Sequence, residues 1–264
     1  MIPGSLHESR LPTIQDRLAV RKRPINSRPV MYQSWRELLF LHWTVDAREI
    51  QRALPRGLTV DTFGGHAYLG IVPFLMRGVR PRCCPRVPGV SDFLELNVRT
   101  YVCDALGRPG VWFYSLDASQ PVAVVAARRF FHLPYFRSRM KAESNPQTGE
   151  ISYLSHRFGI DESLSSCFRY RPRGTPQDAT PGTLEFFLIE RYVLFALSHK
   201  PVQLWLGKVH HKPYFLRQAE ITEWDDCLFE VNGLKRPNRP PDHVVISPGV
   251  DVEVFRAEKV DTGR

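Results

Sequence analysis

Between Phe93 and Cys103 the sequence reads Phe-Leu-Glu-Leu-Asn-Val-Arg-Thr-Tyr-Val-Cys, and every second residue from Glu95 can hydrogen-bond or carry charge: Glu95, Asn97, Arg99, Tyr101. That alternation is the period of a β-strand, whose successive side chains point to opposite faces. Leu94, Leu96, Val98 and Val102 share the other face, so an acid, an amide, a guanidinium and a phenol form one polar stripe. Spacing alone leaves two readings of equal weight. The stripe lines the lumen of a small barrel, where a carboxyl can exchange a proton and an arginine can grip a carboxylate, or it is a solvated sheet face.

Other chemically capable residues are sparser. His210 and His211 are adjacent, so on a strand they face opposite ways and cannot chelate one metal ion. With no carboxylate or second histidine at ligand spacing, no metal site is expected. The five cysteines (Cys83, Cys84, Cys103, Cys167, Cys227) form no Cys-x-x-Cys pair and suit a reducing compartment. There is no glycine-rich phosphate loop and no Gly-x-Ser-x-Gly elbow, so neither nucleotide binding nor serine hydrolase chemistry has support, and no cofactor is expected. Lysine is scarce, 7 against 29 arginines, which leaves amine catalysis few candidates.

The elements that must hold the stripe follow from hydrophobic pattern. Residues 1–30 lack a period and carry six basic residues against two acidic ones, so a disordered basic tail is expected. One domain then spans 31–256, with 257–264 a second tail. Trp35, Leu38 to Leu41 and Trp43 mark a core strand, and Asp46 caps a short helix. Gly64-Gly65 reads as a hairpin turn joining strands at 60–63 and 67–75. Val111 to Asp117 is the antiparallel partner of the stripe strand. Gln120-Pro121 opens a short buried helix that ends at His132-Leu-Pro-Tyr135, since a residue before proline leaves the α region. Further strands are expected at 151–157, 167–171, 202–209, 216–224, 228–231 and 250–255, and the longest helix at 184–197. Many strands with few helices predict a β-dominated α+β fold, an antiparallel barrel or sandwich with flanking helices.

Net charge is +9, but almost half of the excess sits on the expected tail, so nucleic acid is disfavoured as a partner. No stretch approaches the ~18 apolar residues of a membrane span, and a cytoplasmic protein without a membrane partner is expected.

The string Phe93 to Val102, the His132-to-Tyr135 corner, the Glu190-Arg191-Tyr192 triplet and the Val209-His-His-Lys-Pro213 run, in that order, resemble the YqjF-like family, a domain family of unknown function. That family is similar in fold to acetoacetate decarboxylase, so the resemblance implies a cone-shaped antiparallel barrel with a site in its lumen. Arg36-Glu37 matches the decarboxylase's Arg-Glu, whose arginine lies in its site, and Glu95 falls where its active-site glutamate stands. The paired lysines of that enzyme correspond to Tyr135 and Phe136 after Pro134, and neither can form an imine. Lys141 follows Arg137 and Arg139 in a polar run and belongs on the surface.

The resulting expectation is a lumen pocket for a small organic anion, lined by Arg36, Glu95, Arg99, Tyr101, His132 and Tyr135. Arg36 and Glu95 are expected to meet there, as a binding pair or as an internal salt bridge. Glu95, His132 and Tyr135 are the candidates for acid/base work. Two other functions compete: a lyase or hydrolase acting on a keto or hydroxy acid without an imine, and a non-enzymatic interaction protein using its basic tail.

Overall fold

Strand-forming sequence dominates the chain. In the computed structural model, which describes residues 10–261, the order is α1 (Ile14–Arg21), β1 (Met31–Val45), α2 (Ala47–Ala53), β2 (Leu58–Val60), β3 (Ala67–Pro81), β4 (Phe93–Asp104) and β5 (Pro109–Ala118). Then come α3 (Pro121–Phe131), β6 (Tyr135–Ser144), β7 (Ile151–Arg157), a single 3-10 turn, β8 (Ser166–Asp178), α4 (Leu184–Ile189), β9 (Val193–His199) and β10 (Val202–His210). The chain finishes with β11 (Phe215–Glu223), α5 (Cys227–Val231), β12 (His243–Val254) and β13 (Glu258–Lys259). The expected β-dominated fold with few helices is the observed one.

Five strands, in the order β12-β1-β3-β4-β5, make an antiparallel wall. Each outer strand of the wall divides its free edge between two partners. β5 runs parallel to β9 at Val111 and Trp112, and parallel to β6 from Leu116 to Ala118. β12 pairs with β11 at Val245 and Ile246, and with β10 at Glu253 and Val254. Two closed circuits therefore share the wall, one completed by β9 and β10, the other by β6, β7, β8 and β11.

Both faces of the wall are consequently buried, and strand alternation sorts residues between two cores. From β1, Leu39, Leu41 and Trp43 pack with Tyr153, Phe168 and Phe229, whereas Leu38 and Phe40 pack with Leu116, Val209 and Tyr214. From β4, Leu96 and Val98 join the first group and Tyr101 the second. The polar stripe thus faces an interior.

Several expectations are corrected. Residues 10–30, read as part of a disordered tail, include α1, which has a complete Thr13/Asp16 capping box. None of its residues is buried, so hydrophobic period could not announce it; charge holds it down instead. Arg17 grips the fully buried Asp61 through hydrogen bonds of 2.7 and 2.8 Å, and Arg23 pairs with Glu253 at 2.6 Å. At the other end, β13 pairs with β10 and Val260 is buried against Leu204 and Leu206, so 257–261 is not a tail. Residues 1–9 and 262–264, the remainder of both expected tails, lie outside the described residues.

The long helix expected at 184–197 is α4 followed by β9. Residues 186–193 are all buried, through the end of the helix and into the strand, so the apolar 3.6 period read there did not mark where one gives way to the other. The expected strand at 228–231 is α5, filling the first of these cores with Cys227, Leu228 and Phe229. Gly64 and Gly65 do make a tight turn, with φ of 59° and 82°, but only Phe63 and His66 bridge across it, and β2 and β3 pair with β4.

Candidate functional site

A cavity of about 170 Å³ lies between the wall and α3, on the side closed by β9 and β10. Alternate β4 residues Glu95, Asn97 and Arg99 project into it, a spacing of about 13 Å from first to last at the Cα level. Phe74, Phe93, Phe113, Leu116 and Leu194 supply much of the carbon around them, with Ala123, Ala126 and Ala127 of α3 overhead.

Of the expected site residues, Glu95, Arg99 and Tyr135 line this cavity, and Arg36, Tyr101 and His132 do not. Glu95 accepts a 2.7 Å hydrogen bond from the Tyr135 hydroxyl, and both side chains are buried. Burial pushes the Glu95 carboxyl up to about 8, against the pull of that hydrogen bond and with a smaller contribution from Asp117. At neutral pH Glu95 is therefore a carboxylic acid. Its Oε2 accepts from Tyr135, which leaves Oε1 as the oxygen that faces no hydrogen-bond donor of that pair.

Arg99 is only 8% exposed, yet among the described residues no carboxylate lies within ion-pairing distance of it. Its guanidinium sits over the rings of Phe40 and Tyr101 at 5.3 and 5.5 Å and donates to the Leu188 carbonyl at 3.3 Å. Its Nε donates to the Tyr101 oxygen at 3.2 Å, and Tyr101 lies 2.6 Å from His42 Nε2. Since arginine only donates, the phenol passes its own hydrogen to His42, which fixes the hydrogen of His42 on Nδ1, 3.0 Å from His243 Nδ1. Burial lowers both imidazoles, holding them neutral, so this chain orients Arg99 without cancelling its charge. It ends on His243 Nε2, a buried nitrogen with no partner among the described residues.

Gly70 on β3 makes the row possible. It sits between His42 on β1 and Arg99 on β4 in register, and a Cβ there would meet the His42 ring at 3.1 Å and Arg99 Cγ at 3.4 Å. Asn97 Oδ1 is a further buried acceptor without a partner among the described residues.

Arg36 is the main correction. It pairs with Asp251, bonds the Val250 carbonyl at 2.7 Å, and lies in an open surface groove with Arg77 and Arg80. Trp35 and Leu38 both face the cavity because β1 carries one extra residue against β3 between Arg36 and Leu41, where Glu37 has φ of 53°. Arg36, next to Trp35, is turned outward and never meets Glu95. Tyr101 is fully buried behind Arg99 and touches it rather than the cavity. His132 caps α3 in a left-handed conformation and packs on Trp205, in an outer groove with Trp112 and His199.

Lys141 is exposed and paired with Glu143 at 2.7 Å, and none of the cavity-lining residues is a lysine. Lys208 directly precedes Val209, the β10 residue that lines the cavity, so its side chain leaves by the opposite face. Among the described residues no group of His, Cys, Asp and Glu is arranged to hold a metal ion, and no helix is long and apolar enough to cross a membrane. The alanine face of α3 was missed by sequence reasoning; the run of alanines at helical spacing in 123–127 was the available signal.

A family model for DUF2071, described as an uncharacterized conserved protein, matches residues 32–251. The chain belongs to the DUF2071 family. Within reach of this family membership, the uncharacterized protein YqjF of Bacillus subtilis (strain 168) is 37% identical over 212 residues, 80% of this chain and 85% of that protein. Solved structures of similar fold include an acetoacetate decarboxylase-like enzyme from Sphingomonas wittichii RW1, with a TM-score of 0.60 at 14% identity, covering 89% of this chain and 94% of that one. The enduracididine biosynthesis enzyme MppR complexed with pyruvate gives 0.61 at 14%, covering 91% and 94%. Acetoacetate decarboxylase from Legionella pneumophila gives 0.59 at 14%, covering 91% of each. This DUF2071 chain thus has the acetoacetate decarboxylase-like fold, and at such identity the likeness speaks to fold alone.

Proposed function

We propose that the cavity binds a small organic anion, with the negative group on Arg99 and Glu95 supplying a hydrogen bond from its protonated carboxyl. The observation that carries this reading is the buried guanidinium of Arg99 at a cavity wall, with only neutral hydrogen-bond partners among the described residues. A buried charge is costly unless it is paired, and an anion entering the cavity supplies the pair. The fold neighbour complexed with pyruvate supports the same reading.

Acid/base catalysis is the second reading, favoured by the neutral Glu95 in contact with Tyr135. An imine route has no lysine at the cavity to start from. The basic-tail reading loses support because Arg10, Arg17 and Arg23 are each committed to an acid of this chain.

Calorimetric titration of simple monocarboxylates into wild type, Arg99→Met and Glu95→Gln tests the proposal. Loss of one charge-assisted contact predicts at least tenfold weaker binding for Arg99→Met and a smaller loss for Glu95→Gln. Equal affinity of all three proteins for every acid that binds rejects it.

A further inference from the structure

The walls of the cavity say more about the ligand than its one charge does. Apart from Glu95, Asn97 and Arg99 on β4, Tyr135 beside Glu95, and Tyr214, the lining is almost entirely carbon; Gln33 is already engaged with Trp35 and Met31. α3 departs from ordinary packing. It buries Val124 and turns Phe131 to one end of the cavity, but faces the space between with Ala123, Ala126 and Ala127 and leaves Val122 57%, Val125 67% and Phe130 73% exposed. Helices at a core normally bury their large apolar residues, and interiors are close-packed. Three alanines on the cavity face, with Val122, Val125 and Phe130 left outside, keep a space open that larger side chains at those positions would fill.

Resting on the anion reading above, we propose that the ligand is a carboxylic acid with an apolar body about the size of one aromatic ring, the body lying under the alanine face of α3. A cavity near 150 Å³ lined by aliphatic and aromatic groups accepts benzene, and about 170 Å³ leaves room for little beyond a ring and a short acid arm. A short, wholly polar keto acid would leave the carbon walls uncovered.

Full-length protein is titrated with benzoate, phenylacetate, 3-phenylpropionate, acetate, pyruvate and the uncharged phenylacetamide. The best aryl acid is expected to bind at least tenfold more tightly than pyruvate or acetate, with about a fourfold gain for each methylene that is buried. Ala127→Leu, which fills the space, is expected to weaken aryl acids at least tenfold while leaving acetate within a factor of two. Ala123→Val serves the same purpose should the leucine variant fail to fold. Pyruvate binding as tightly as the aryl acids, or filling substitutions that treat acetate and aryl acids alike, overturns the inference; so does absence of binding by all six compounds up to about 10 mM. Phenylacetamide binding as tightly as phenylacetate, with Arg99→Met unaffected, sinks the anion reading while upholding the apolar body.

Discussion

Glu95 and Arg99 project from the same face of β4 into the cavity, one with its carboxyl pushed up by burial and the other without an ion-pair partner among the described residues. Glu95 leaves a measurable trace on stability. Its folded-state value near 8 exceeds the 4.5 of an unfolded chain, so between those values the native state holds a proton that the unfolded state has released. The contribution of Glu95 to stability therefore falls as pH rises from about 4.5 to 8 and levels off above, a change on the order of 5 kcal/mol for this group, seen free of the opposing histidines between about 6.5 and 8. Glu95→Gln, which keeps the size and an acceptor for Tyr135, is expected to flatten that slope in denaturant melts at stepped pH. An unchanged slope means that Glu95 is ionised in the folded protein. The buried His42, His243 and His211 act in the opposite sense at lower pH, where the unfolded chain takes up protons that they refuse.

At the level of elements, the stripe was legible because alternation is a strong local signal, and β4 delivers Glu95, Asn97 and Arg99 to one face as read. Arg36 was not, because one extra residue between Arg36 and Leu41 resets the alternation of β1, and no pattern of residue types marks that bulge. The same limit hid α1, whose attachment is electrostatic. Asp61 is fully buried and shared by Arg17 of α1 and by Arg191, which donates to it at 2.9 Å. Asp61→Asn leaves two guanidinium groups uncompensated and is expected to cost about 3 kcal/mol in chemical denaturation. Arg17→Met keeps the Arg191 contact, so it should cost less and release hydrogen-exchange protection in α1 before the strands. Protection lost equally across the wall would mean that α1 is integral to the cooperative core.

For the molecule as a whole, composition and strand count were enough to anticipate a β-dominated fold, but not that two circuits share one wall. That arrangement rests on pairings between segments far apart in sequence, such as β5 with β9 and β1 with β12, which local text cannot encode. It also explains why both faces of β4 and of the second half of β1 are buried. Where β5 passes from β9 to β6, the ladder between Trp112 and Leu116 has no partner strand on that edge. Phe113 and Leu133 stand at this gap and line both the cavity and the outer groove of His132. A wall sealed by side chains can be opened by a rotamer change on the nanosecond scale, whereas one sealed by backbone must break a ladder. Leu133→Ala is accordingly expected to speed capture and release of an acid together in stopped-flow traces, changing both rates more than their ratio. A split seam of this kind leaves two hydrocarbon side chains, Phe113 and Leu133, and no hydrogen-bonded ladder, as the partition between an inner space and an outer one.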